Sequence, residues 1–143
     1  MLKQIATVVS LSVLLGLAAC ATDGGVRQIS YETLLAENQI NILKLTPGLS
    51  KQQVIDTMGT SQARVKNNLY VTNPYKNDFF TIDKDSYEII YYLTQRYPAF
   101  TKIKESQATP VVFKNGQVVG LGFDALRRAR GGKYQAEAAE THD

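Results

Sequence analysis

From Ser30 to Leu45 (SYETLLAENQINILKL), Tyr31, Leu34, Leu35, Asn38 and Ile42 recur on one side of a 3.6-residue repeat. That period predicts a helix capped by Ser30, with Glu32 and Thr33 in its first turn. Asn38 is the polar member of an otherwise apolar stripe. Thr46-Pro47-Gly48 then breaks the chain, and Leu49 to Gly59 (LSKQQVIDTMG) carries a complete set of local helix signals. Ser50 and Gln53 have the spacing of a capping box, Leu49 can pack on Val54 as a hydrophobic staple, and Gly59 suits the position just past the end. A two-turn helix from Lys51 to Met58 is expected, burying Val54, Ile55 and Met58.

Beyond Gly59 the period shortens to two. Arg64 to Val71 predicts a strand, and Asn73-Pro74-Tyr75 an extended or turning segment before the proline. Phe79 to Ile82 and Tyr87 to Leu93 predict two strands separated by the turn Asp83-Lys84-Asp85-Ser86. In the second, Tyr87, Ile89, Tyr91 and Leu93 share one face; Glu88, Ile90, Tyr92 and Thr94 share the other. Both faces are therefore expected to be partly covered. Thr109 to Gly122 (TPVVFKNGQVVGLG) predicts a hairpin with Asn115-Gly116 as its two-residue turn. That turn sets Lys114 against Gln117, Phe113 against Val118 and Val112 against Val119. Gly120 and Gly122 weaken the strand pattern and suggest a bend or a close backbone approach. Asp124 is the expected cap of a short basic helix, Ala125 to Arg130.

The expected fold is α+β: two N-terminal helices lying across one face of a small antiparallel sheet of three to four strands. Four regions follow: a signal segment 1–19, a tether 20–28, a domain 29–130, and a tail 131–143 (GGKYQAEAAETHD) that reads as disordered.

The start of the chain has a different logic. Met1 to Lys3 is short and positive, and Ile5 to Ala19 is mostly apolar. A membrane span needs roughly 20 such residues, so this run fits the core of a secretory signal better. It ends in Leu17-Ala18-Ala19-Cys20, which resembles the bacterial lipobox. That resemblance implies cleavage between Ala19 and Cys20 and acylation of the Cys20 sulfur. Each buried methylene contributes about 0.8 kcal/mol to membrane binding, so several acyl chains together anchor a protein durably. Ala21, where aspartate would retain a lipoprotein in the inner membrane, implies the outer membrane, facing the periplasm. The tether Ala21 to Gln28 (ATDGGVRQ) reaches at most about 30 Å, which would hold the domain near the bilayer.

Composition narrows the chemistry. The 143 residues carry 16 lysines and arginines against 13 aspartates and glutamates, a net charge of +3. That balance argues against nucleic acid as a partner, for which a concentrated basic face is needed. Cys20 is the single cysteine and His142 the single histidine, which excludes an internal disulfide and any multi-cysteine metal site. Nucleophilic catalysis lacks a base for the same reason. Asp83-Lys84-Asp85 opens like a calcium loop, but Glu88 stands where its glycine belongs and Thr94 where its glutamate belongs. Gly120-Leu121-Gly122 lacks the third glycine of a dinucleotide site. No catalytic residue, metal or cofactor is expected. The remaining candidates for contact are the tyrosines, the cluster Arg127, Arg128 and Arg130, and two turns: Asn73, Pro74 and Tyr75, and the hairpin tip Asn115 and Gly116.

Gly48-Leu49-Ser50, Val54 and Gly59-Thr60, behind the lipobox and short tether, resemble the SmpA/OmlA group of BamE-like outer-membrane lipoproteins. Members carry a Gly-Met/Leu-Ser/Thr-x-x-x-Val helix that ends in Gly-Thr and precedes a small antiparallel sheet. The Asn73-Pro74-Tyr75 turn and the hairpin Pro110 to Gly120 are more similar to a sister family of uncharacterised proteobacterial lipoproteins. The resemblance implies a two-helix, sheet-backed layout like that of β-lactamase-inhibitor domains. It also implies a non-catalytic role in protein interaction or envelope assembly, with an envelope protein as partner and the membrane held through the lipid anchor. Two alternatives stay open. A module for peptidoglycan or a small hydrophobic molecule would show a concave pocket lined by tyrosines between helices and sheet. An enzyme inhibitor would use the tip at Asn115 and Gly116.

Overall fold

Ser30 begins the first helix as its spacing requires, its Oγ accepting the Thr33 N–H at 3.0 Å. In the computed structural model, which describes residues 26–65, 69–96 and 103–131, this helix is α1, Tyr31–Ile42. It ends at Ile42, short of Leu45, which is buried on the other face of the main sheet. Helix α2, Lys51–Met58, has the expected capping box: Gln53 N–H donates to Ser50 Oγ at 3.3 Å, and Ser50 N–H donates to Gln53 Oε1 at 2.9 Å. Gly59 closes it at φ 73°. Val54 and Met58 are buried, whereas Ile55 is only half-buried. The signal segment, Ala19 and Cys20 at the expected cleavage site, residues 20–25 of the tether and the tail from residue 132 lie outside the described residues.

The α+β class and the packing of helices on an antiparallel sheet are as expected. The described strands form two sheets. The first joins β1 (Arg27–Ser30), β2 (Ser61–Arg64) and β3 (Tyr70–Thr72), with β1 parallel to β2 and β2 antiparallel to β3. The second is antiparallel throughout: β4 (Lys76–Ile82), β5 (Asp85–Leu93), β6 (Ala108–Lys114) and β7 (Gln117–Leu121), in that order. A single 3-10 turn, Glu105–Gln107, leads into β6.

Several local expectations are corrected. Arg27 and Gln28 belong to β1 rather than to the tether, and the Arg27 guanidinium donates to both Glu37 carboxylate oxygens at 3.0 and 2.9 Å. The strand expected at Arg64 to Val71 is instead two short arms, β2 and β3, whose inward residues Ala63 and Val71 face each other. The turn between β4 and β5 is only Asp83-Lys84, since Asp85 pairs with Ile82 and Ser86 with Thr81. Lys114 and Asn115 hold the Asp85 carboxylate, which draws Asp85 into the strand and lowers its pKa below the usual range.

In the β6–β7 hairpin, Asn115 (φ 50°) and Gly116 (φ 84°) make the expected turn and oppose Lys114 to Gln117 and Phe113 to Val118. The next pair departs from expectation: Val112 faces Gly120, with a bulge beside it that turns Val119 outward. A Cβ at Gly120 would lie 2.6 Å from the Ala125 Cβ, so only glycine lets the following helix approach there. That helix, α3, spans Gly122–Ala129. Gly122 enters it at φ 79°, and Asp124 sits in the first turn, paired with Arg127 rather than capping.

Alternation along β5 divides the core, and the helices are divided with it instead of sharing one face. Ile89, Tyr91 and Leu93 pack with Leu34 and Leu35 of α1, Val71 of the small sheet and Leu126 of α3. Ile90 and Tyr92 pack with Val54 and Met58 of α2, Phe113 of β6 and Leu45. Both faces are covered, as the two-sided apolar pattern of β5 requires. Full burial of each large side chain contributes about 1.5–3 kcal/mol relative to exposure.

Candidate interaction surface

An antiparallel sheet has two outer strands, and each presents backbone groups that need a partner. In the main sheet the two edges are treated differently. The β7 edge is covered by the α1–α2 connection: Gly48 N–H donates to Val118 O at 2.8 Å, Val118 N–H donates to Leu49 O at 2.9 Å, and Ser50 bridges Gln117. Across the molecule, no described strand pairs with the outer side of β4.

Strand β4 also carries exposed apolar side chains in its second half. Successive residues point to opposite faces, so the adjacent rings Phe79 and Phe80 separate. Phe80 turns inward and stacks on Tyr87, with ring centres 5.0 Å apart and planes 8° apart. Phe79 turns out and stays 67% exposed. Ile82 is exposed at the end of the strand. A depression of about 460 Å³ runs along Asp78 to Ile82 and is bounded by Arg130. A second, of about 370 Å³, lies between Glu105 and Phe123, Leu126, Arg127 and Arg130 of α3 and its end. Arg130 borders both.

Charges fix the inner face of β4. Lys76 Nζ is 2.9 Å from an Asp78 oxygen and 2.9 Å from a Glu105 oxygen. Those two hydrogen bonds, Asp78 first, hold the ammonium above the usual lysine range. The same ammonium lies 5.1 Å from the Tyr91 ring centre. Arg130 stands 5.6 Å over the Phe80 ring and 4.0 Å from Asp78. Lys76, Asp78 and Phe80 are therefore held in place, while Phe79 and Thr81 on the other face face solvent. Such an edge can accept a strand: backbone groups supply affinity, and alternate side chains supply selectivity.

The residues expected at the surface fall elsewhere. Asn73 is buried, where it exchanges amide hydrogen bonds with Asn38 and donates to Met58 O and Gly59 O. Pro74 and Tyr75 are half-buried; the Tyr75 ring packs against the core, and its N–H donates to Tyr91 O at 2.8 Å. Asn115 and Gly116 are exposed, but Asn115 Oδ1 accepts the Ser86 N–H and its amide donates to Asp85. Tyr75 meets β5 at Tyr91 and the hairpin tip adjoins Tyr87, so the two turns sit at opposite ends of the sheet and make no common site. Ala19 and Cys20 lie outside the described residues.

The tyrosines of β5 line neither of these two depressions. Tyr91 and Tyr92 are fully buried with unpartnered hydroxyls, and burial raises both phenol pKa values above the ordinary range. The two depressions along β4 and α3 are bounded by phenylalanine, leucine, isoleucine and charged side chains instead. Among the described residues, no three His, Cys, Asp or Glu side chains gather as metal ligands, and no helix is long and apolar enough to cross a membrane. Strand period alone does not mark β4 as a contact surface. The usable signal was Phe79-Phe80, since two adjacent rings on a strand cannot both face one side.

No curated protein and no solved structure matches the chain. A family described as a protein of unknown function, DUF3192, matches residues 16–128. That match covers most of the 143 residues, including both sheets and nearly all of α3, and the chain belongs to this family.

Proposed function

We propose that this protein is a non-catalytic lipoprotein of the outer membrane, facing the periplasm, whose domain receives an extended strand of an envelope protein along β4. The asymmetry of the main sheet carries this reading. The chain spends its own α1–α2 connection covering β7 and leaves β4 open beside an exposed phenylalanine. Monomeric proteins blunt such edges with charge, proline, bulges or a covering segment; the charges of β4, Lys76 and Asp78, lie in its first half, and residues 79–82 carry no charge or proline.

Anchoring is read from Leu17-Ala18-Ala19-Cys20, with Ala21 as the outer-membrane signal, and the likeness of Gly48-Leu49-Ser50, Val54 and Gly59-Thr60 to SmpA/OmlA lipoproteins supports the same compartment. The first described strand, β1, starts at Arg27, seven positions after Cys20, so the anchor would hold the sheets close to the bilayer.

Two measurements test the reading. Labelled palmitate should enter the wild-type protein and not Cys20→Ala; label in the variant, or none in the wild type, contradicts the anchor. Crosslinking in cells followed by purification should recover an envelope protein bound through β4, and recovery of none contradicts the binding role.

A further inference from the structure

We infer that the strand received by β4 is β4 of a second copy, paired antiparallel about a twofold axis at Phe79. This inference rests on the reading of β4 as the working edge and names its occupant. A twofold axis perpendicular to a sheet sets each residue against one of the same face, so pairing must be centred on a residue. Phe79 is the middle of the seven residues Lys76–Ile82, and centring there uses the whole strand.

The resulting pairs are complementary. Phe79 meets Phe79, and Asn77 meets Thr81 on the same face. On the other face Asp78 meets Phe80 and Lys76 meets Ile82. Phe80 carries Arg130 at 5.6 Å from its ring, and Arg130 already stands 4.0 Å from Asp78 of its own chain. The second copy's Asp78 therefore arrives beside a guanidinium, and each Arg130 lies between two carboxylates. Lys76 comes next to the second copy's Asp83. Shifting the axis removes this match. Centring on Asp78 opposes two carboxylates, and centring on Phe80 opposes Lys76 to Lys84; like charges directly opposite destabilise a pair. The depression along Asp78 to Ile82 leaves room for the incoming side chains.

Seven paired residues make a small contact, so the association belongs on the membrane, where anchored copies are held at high local concentration. The test uses the full chain in cells, with a photo-reactive benzoylphenylalanine at position 79 and two differently tagged copies expressed together. The expected product has twice the mass of one chain and carries both tags. The same probe at Val119, exposed on the covered β7 side, should give no such product. With the probe moved to position 81, Phe79→Asp should lower the two-tag product about tenfold or more, since symmetry applies the lost apolar contact and the added charge at one point. Phe79 is mostly exposed, so that variant should keep the wild-type thermal midpoint.

An adduct at 79 to a different protein would overturn the second copy as occupant and keep β4 as a binding edge. An adduct within one chain to residues 132–143 would overturn it as well, with the tail as occupant. Absence of any adduct at 79 would overturn both readings.

Discussion

Asn38 and Asn73, 35 residues apart, exchange side-chain amides across the domain interior: Asn38 Nδ2 donates to Asn73 Oδ1 at 3.0 Å, and Asn73 Nδ2 donates to Asn38 Oδ1 at 2.9 Å. Their remaining capacity ties four elements together. Asn38 on α1 also donates to Leu93 O at the end of β5, and Asn73 after β3 donates to Met58 O at the end of α2. A buried polar pair is costly unless fully partnered, and this one is nearly so. Asn73→Ala strands the Asn38 amide and two backbone carbonyls. We expect a loss of about 2–3 kcal/mol in urea unfolding. Asn38→Leu with Asn73→Leu should cost less than the sum of the single changes, as partners in one network do. Additive losses would show that the pair does not act as a unit.

Gly120 and Ala125 set the β7–α3 corner. Gly120→Ala forces a Cβ to within 2.6 Å of another and should lower stability by about 1–3 kcal/mol. Ala125→Gly made in the same chain removes the opposing atom and should recover part of that loss. Thermal melts of the two single variants and the double check it; a double variant worse than both singles would contradict the contact.

Tyr92 predicts alkaline behaviour. Burial, with Glu88 adding to it, raises its pKa in the folded chain above the ordinary value near 10. The folded state thus keeps a proton that the unfolded state gives up. Stability from this group is complete below about pH 10 and falls as pH rises through that value. Phenolate absorbance should show Tyr92 ionising only as the protein unfolds. Tyr92→Phe removes a hydroxyl that has no hydrogen-bond partner, so it should leave stability near pH 7 unchanged or improved and weaken the alkaline loss. A fall in stability at neutral pH would show that the hydroxyl is satisfied.

Local chemistry was legible in the sequence and distant pairing was not. Helix α2 could be read because Ser50, Gln53 and Gly59 determine its ends within one segment. The turn at Asn115-Gly116 and the two-sided alternation of β5 are equally local. Strand β1 has no apolar alternation; Arg27 to Ser30 become a strand only because β2 lies alongside, some 34 residues later. Neither the bulge at Val112 and Phe113 nor the close approach of Ala125 to Gly120 can be read from spacing within the hairpin. Asn73 looked like a surface turn because its residue type favours one, whereas its partner on α1 makes it interior. The β4 edge was hidden because openness is a property of what does not pair with a strand.

Hydrogen exchange on membranes from cells expressing the full chain tests the occupied edge most directly. The peptide Lys76–Ile82 should exchange slowly in the wild type, with amides on both sides of β4 bonded. In Phe79→Asp its outer amides should exchange faster, while the β5 peptide Asp85–Leu93 keeps its wild-type rate. Equal exchange of Lys76–Ile82 in the two proteins would contradict the account.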